Sequence, residues 1–183
     1  MPQVKAMPTA YAKIRALICD ADGSLCSPQL WYGNENEPLP SASRTETGKF
    51  FHVRDGHRVV TAIAAGLKVG LCSGRDSLPL QLRARDLRLD PVLVGVPDKV
   101  QALEKWAAEQ GFSLAEVAFL GDDYPDLPLL GKVGLLIAVA DADPCMLRRA
   151  DKVTRCAAGQ GAVAEILEAI LRAQGRWPFG VTR

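Results

Sequence analysis

Ile14-Arg15-Ala16-Leu17-Ile18-Cys19-Asp20-Ala21-Asp22-Gly23 runs from a mostly apolar stretch straight into two carboxylates and a glycine. The apolar part reads as a buried β-strand, and its abrupt stop at Asp20 puts carboxylates at the strand's C-terminal end. Asp20 and Asp22 stand one residue apart, so both can face one cavity as the strand gives way to a turn, and Gly23 lets the chain turn sharply. Taken alone, the phrase reads equally well as an acidic turn capping the next element. The choice depends on whether other polar groups reach the same place.

Outward from this phrase the pattern repeats. Leu67 to Cys72 is an apolar strand that ends at Ser73-Gly74-Arg75, and Val117 to Leu120 is another that ends at Gly121-Asp122-Asp123-Tyr124-Pro125-Asp126. Further strands are expected at Val92 to Val94, Leu135 to Val139 and Lys152 to Thr154. Between them lie helical periods: one after Asp55-Gly56, carrying Val59, Val60, Ile63 and Ala64 and stopping at Gly66; one over Ser77 to Leu87; one from near Asp98 to Gly111; and one over Ala162 to Ala173. This alternation predicts an α/β fold, a Rossmann-like, mostly parallel sheet with helices on both faces. In such sheets sites form beyond the carboxyl ends of the strands, so Asp20, Ser73 and Asp122 should converge on one rim. Residues 1 to 13 read as a loose lead-in. From about 24 to 54 neither helical nor simple strand periodicity holds, and the Gly33-Asn34 signal suggests a projecting hairpin, a flap with a loop at its tip.

Carboxylates carried to one place by separate strands either raise one another's pKa or recruit a cation, and an all-oxygen donor set suits Mg²⁺. Some of the acids in the second phrase can instead cap the short helix that Pro125 helps to start. Lys99 stands at the start of a helix, where the dipole does not favour a cation. Together with Ser73, Gly74 and Arg75 it describes a pocket for a phosphoryl group, a hydroxyl and amides donating hydrogen bonds and an ammonium supplying charge.

The whole chain has 183 residues, which fits a single domain over residues 1 to 183. Lys and Arg number 22 against 21 Asp and Glu, a formal charge of +1, so no global field favours nucleic acid or an anionic membrane. The longest apolar run, Val133 to Ala140, falls far short of the roughly 18 residues of a membrane span. The N-terminal residues show no apolar signal region, and Cys19, Cys26, Cys72, Cys145 and Cys156 form no C-x-x-C pair. A reducing compartment, the cytoplasm, is therefore expected. Cys19 and Cys72, at strand ends, read as core fillers, and His52 and His57 do not make a zinc site.

The ordered set D-x-D-G, strand then Ser73-Gly74-Arg75, Lys99, and G-D-D-x-x-D resembles the haloacid dehalogenase superfamily. Within it the chain is most similar to the small, capless 3-deoxy-D-manno-octulosonate 8-phosphate phosphatase family and its relatives acting on phosphorylated nonulosonic acids. Lys49-Phe50-Phe51-His52-Val53-Arg54-Asp55-Gly56, Asp98-Lys99, Ala140-Asp141-Ala142 and Gly159-Gln160-Gly161-Ala162-Val163 extend the likeness over about residues 14 to 177. The resemblance implies a phosphomonoesterase in which Asp20 attacks phosphorus and Asp22 protonates the leaving alcohol and then activates water. It implies that Ser73 and Lys99 bind phosphate. Mg²⁺ would be held by Asp20, the Asp22 backbone carbonyl and Asp122, with Asp123 or Asp126 in support. It also implies a homotetramer whose flaps, through Trp31, Tyr32, Phe50 and Phe51, pack against neighbouring chains. The family's late arginine is replaced by Ala164, which leaves Arg75 and Arg54 as candidates for a substrate carboxylate. Another small sugar phosphate as substrate, or a non-catalytic oligomeric scaffold, would be compatible with the same fold.

Overall fold

In the computed structural model the structure describes residues 9–32 and 46–180. Strand β1 (Ala16–Cys19) has every side chain buried, as its unbroken apolar run requires, and lies in the middle of a six-stranded sheet. Going outward on one side are β4 (Lys68–Cys72) and β5 (Val92–Leu93), and on the other β6 (Val117–Gly121), β7 (Leu135–Ala138) and β8 (Lys152–Val153). All five pairings are parallel. Cys19 is level with Leu71 on one neighbour and Leu120 on the other. That register brings Asp20, Ser73 and Asp122 out at the same edge. The chain builds one half of the sheet through β4 and β5 and then returns past β1 to build the other, so β1 marks the crevice where strand order reverses.

Helices cover both faces. α2 (Val53–Ala64) and α6 (Ala162–Ala173) pack together on one face, joined by α1 (Thr9–Ala12) and α3 (Leu78–Leu87). α4 (Lys99–Glu109), α5 (Pro144–Arg149) and the 3₁₀ turns at Leu114–Glu116 and Tyr124–Leu129 pack on the other. α6 buries Val163, Ile166, Leu167, Ile170 and Leu171, the three- and four-residue spacing of a helix with one apolar face.

Three elements differ from the sequence-based expectation. α2 starts at Val53, before Asp55-Gly56, with His52 as its N-cap accepting a hydrogen bond from the Arg54 amide at 3.2 Å. His57 accordingly sits within the helix on its exposed side and not at its start. α5 was not anticipated; Asp143 caps it through the Cys145 amide at 2.6 Å and Pro144 occupies its first position. The lead-in is partly anchored: Tyr11 is 2% exposed, and Gln174 Nε2 at the end of α6 donates to the Tyr11 and Ile14 carbonyls.

The flap is a two-stranded antiparallel ribbon, β2 (Trp31–Tyr32) with β3 (Glu46–Gly48). Its base is closed by the Ser27 amide donating to the Phe50 carbonyl at 3.1 Å and by a bridge between Cys26 and Phe51. The expected Gly33-Asn34 turn lies outside the described residues. Trp31 and Phe50 are 60% and 63% exposed, whereas Phe51 is partly buried against the core.

Candidate active site

The turn after β1 is closed by its own backbone: the Leu25 amide donates to the Asp20 carbonyl and the Cys26 amide to the Ala21 carbonyl. Gly23 sits at φ +84°, and a Cβ there would run into the Asp122 carboxylate. Glycine is thus needed both for the backbone and for the approach of the second acidic phrase. Ser24 Oγ donates to Asp122 Oδ1 at 3.5 Å, tying the two phrases together.

After β6 the chain enters the 3₁₀ turn, and its acids divide by position. Asp123 is exposed and accepts from the Tyr124 amide at 2.7 Å, a capping contact. Asp126 is 1% exposed; its Oδ2 accepts from the Asp122 amide at 3.0 Å and the Asp123 amide at 3.4 Å. Its Oδ1 accepts from Lys99 Nζ at 2.6 Å, and the same ammonium donates to Asp20 Oδ1 at 2.5 Å. Asp98 caps α4 through the Gln101 amide and so sets Lys99 as the first helical residue, its side chain turned into the crevice.

Carboxylate oxygens of Asp20, Asp122 and Asp126 all lie within 4.8 Å of one another. Burial, reinforced by Asp126, lifts the Asp20 carboxyl to about 6 against the pull of Lys99. Burial also lifts Asp122, to about 8, helped by Asp20, Asp126 and Asp123. Burial alone would lower the Lys99 ammonium, but Asp20 and Asp126 outweigh it and hold it charged. Three acids facing one ammonium leave excess negative charge, and hard oxygen donors at this spacing fit a divalent cation such as Mg²⁺.

The cluster opens into a cavity of about 900 Å³ that also takes in Asp22, Ser73, Gly74, Arg75 and Lys132. Ser73 is 3% exposed and its Oγ accepts from the Arg75 amide at 3.2 Å. Asp22 is not one of the three clustered acids; its Oδ1 is paired with Lys49 Nζ and its Oδ2 lies 3.5 Å from Arg75 Nε. Of the residues singled out in the sequence, Asp20, Asp22, Ser73, Gly74, Arg75, Lys99, Asp122, Asp123 and Asp126 line this one cavity. Arg54 does not; it lines a separate cavity of about 460 Å³ with Gly161, Arg155 and Cys156. Gly159 and Gly161 serve turns: a Cβ on Gly159 would strike the Ser27 amide, and Gly161 is the left-handed N-cap of α6. Cys19 and Cys72 are buried, and burial pushes the Cys72 thiol up to about 12, so neither is a poised nucleophile. Lys49 was not identified from residue patterns as part of a site. Its only signal was a place in a longer family-like phrase, since its partner lies 27 residues away.

Residues 93–167 match the family of haloacid dehalogenase-like hydrolases. The chain is 38% identical over 165 residues to the 3-deoxy-D-manno-octulosonate 8-phosphate phosphatase of Yersinia pestis, covering 90% of this chain and 83% of that one. It superimposes with a TM-score of 0.84 and 30% identity on the corresponding phosphatase of Moraxella catarrhalis, solved with magnesium, phosphate and a KDO molecule, covering 94% of each chain. A cobalt-bound deoxy-D-mannose-octulosonate 8-phosphate phosphatase of Haemophilus influenzae gives a TM-score of 0.81 and 34% identity over 91% of this chain and 92% of that one.

Proposed function

Since this chain belongs to the haloacid dehalogenase superfamily and is a phosphatase, we propose that it hydrolyses the phosphomonoester of a small phosphorylated sugar acid, with Mg²⁺ as cofactor. A 3-deoxy-octulosonate 8-phosphate or a nonulosonate 9-phosphate is the substrate type its similarity favours. The observation that carries the proposal is the meeting of Asp20, Asp122 and Asp126 around Lys99 at the mouth of the crevice beside Ser73.

In this reading Asp20 attacks phosphorus, the bond to the sugar oxygen breaks, and Asp22 gives that oxygen its proton. Asp22 then takes a proton from water as the water oxygen attacks the aspartyl phosphate, which releases phosphate and restores Asp20. Ser73 Oγ and the Lys99 ammonium hold phosphoryl oxygens, the second as a compact charge already fixed by Asp20 and Asp126. Asp20, the Asp22 carbonyl and Asp122 would hold the metal. Asp126 or Asp123 would support that set directly or through water, Asp126 being held by Lys99 and the Asp122 amide. When bound there, magnesium offsets the repulsion between the anionic nucleophile and a phosphate dianion and stabilises charge developing on the phosphoryl oxygens.

Arg75 lines the cavity and offers a guanidinium to a substrate carboxylate. Ala164 cannot, being buried with its amide bonded to Asp55. Arg54 lines a separate cavity with Gly161 and Arg155, and a role for it toward the substrate would place it in the site of a neighbouring copy. Such a copy, in a homotetramer, would also cover Trp31, Phe50 and Val53, which stand 60%, 63% and 83% exposed on and beside the flap. The test is magnesium-dependent phosphate release from a panel of phosphorylated sugars and sugar acids, ranked by kcat/KM. The 2-keto-3-deoxy sugar acids should lead. A preference for phosphates without a carboxylate would reject the sugar-acid assignment, and a monomeric mass in solution would reject the tetramer.

A further inference from the structure

A lysine side chain that is only 1% exposed is costly to keep charged unless it is paired, and Lys49 is paired with Asp22 Oδ1. Its backbone leaves it little freedom. Gly48 ends the flap strand paired to Trp31, and Phe50 and Phe51 are bonded and bridged back to Ser27 and Cys26. The closed base of the hairpin therefore delivers this ammonium to one carboxylate oxygen. Cys26 Sγ donates to the same oxygen at 3.5 Å. The other oxygen, Asp22 Oδ2, is buried and has no hydrogen-bond partner among the described residues; Arg75 Nε stands 3.5 Å away as a charge neighbour. The two oxygens of one carboxylate are thus unlike, one held by the flap's ammonium and by Cys26, the other facing the Arg75 guanidinium at ion-pair distance without a hydrogen bond.

We infer that Lys49 is a positioning residue: by holding Asp22 Oδ1 it fixes the rotamer of Asp22 so that Oδ2 is the atom that exchanges protons with the leaving alcohol and the attacking water. The inference rests on Asp22 being the acid and base of the proposed reaction. It also assigns the hairpin base a catalytic consequence within its own chain, apart from any contact with neighbouring copies. General acid–base catalysis contributes on the order of 10² to 10⁴ in rate, and a misplacement of about 1 Å can remove roughly 10² of it.

The experiment compares Lys49→Met, Lys49→Arg and Asp22→Asn with the parent protein, on a sugar phosphate that the parent turns over and on p-nitrophenyl phosphate. Lys49→Met should lower kcat on the sugar phosphate by roughly 10²-fold and leave KM within about threefold. Nitrophenolate leaves without a proton, so the first step survives on that substrate while hydrolysis of the aspartyl phosphate slows. The Met variant should then release a burst of nearly one nitrophenolate per active site before a slow steady state. Lys49→Arg, which keeps the charge, should recover part of kcat and lose the burst. If Lys49→Met keeps the parental kcat while Asp22→Asn is inactive, the tether is dispensable and the inference fails. Activity surviving in Asp22→Asn would instead overturn the acid–base assignment beneath it. Equal losses in the Met and Arg variants, with lowered Tm in both and no burst, would make Lys49 a structural residue only and would also defeat the inference.

Discussion

Asp20 is where burial and function oppose each other most directly, because a carboxylate 7% exposed, beside two further acids, must be anionic to attack phosphorus. Its contact with Lys99 reconciles the two: the ammonium supports the anion against burial, and Asp126 holds the ammonium in turn. Asp20→Asn keeps the shape and removes the nucleophile, so kcat should fall by about 10⁴-fold or more while the far-ultraviolet dichroism stays that of the parent. Parental turnover in that variant would sink the assignment. Gly121 gives a steric test of the same network. A Cβ there would meet the Asp126 carboxylate, so Gly121→Ala must displace the group that holds both Lys99 and the Asp122 amide. Overpacking of this kind costs about 1–3 kcal/mol, and calorimetry should show a lower Tm together with reduced kcat. At this scale the acids, Ser73 and Lys99 were legible in the sequence because each follows an apolar run or opens a helix. The pairing of Lys49 with Asp22 was not, since it depends on how a hairpin folds back and leaves no periodic trace.

Elements were legible where one force dominates. β1, β4 and β6 are apolar runs stopped by polar residues, and α6 carries an unmixed helical period, so their positions follow from burial alone. α2 resisted because Asp55-Gly56 looks like a turn, yet both residues are buried inside the helix for packing reasons. Gly56 is small because a Cβ there would meet Arg83 and Leu87 of α3. Asp55, 2% exposed, accepts the Ala164 amide at 2.7 Å and so satisfies the first turn of α6 from a neighbouring helix. This contact spans 109 residues, which is why no local capping pattern announces it. Asp55→Ala removes the acceptor and leaves a buried amide unsatisfied. Urea denaturation should show a loss of about 1–3 kcal/mol, with the same dependence on magnesium as the parent. A loss within experimental error would mean that α6 is capped by other means.

Across the whole molecule, strand order was the part least accessible from sequence, since alternation implies a parallel sheet without saying which strand is central. Placing β1 between β4 and β6 turns three separate acidic and polar strand ends into one charged crevice, and that has a thermodynamic consequence. In the metal-free fold Asp20 titrates at about 6 and Asp122 at about 8, whereas an unfolded aspartate titrates near ~3.9. Between these limits the folded chain holds protons that the unfolded chain has released, so metal-free stability should be greatest in mild acid and fall as pH rises through 6 and then 8. Each retained proton contributes a slope of at most about 1.4 kcal/mol per pH unit. A divalent cation needs the same carboxylates deprotonated, so the rise in Tm produced by Mg²⁺ should be larger at pH 8.5 than at pH 6, with proton release on binding. Thermal scans with and without metal across that range measure both effects, and Asp122→Asn should flatten the metal-free slope above pH 6 and diminish the response to Mg²⁺. A metal-free Tm that rises from pH 6 to 8.5, and rises equally in Asp122→Asn, would mean that the acids at these strand ends are not electrostatically coupled and do not form one cation site.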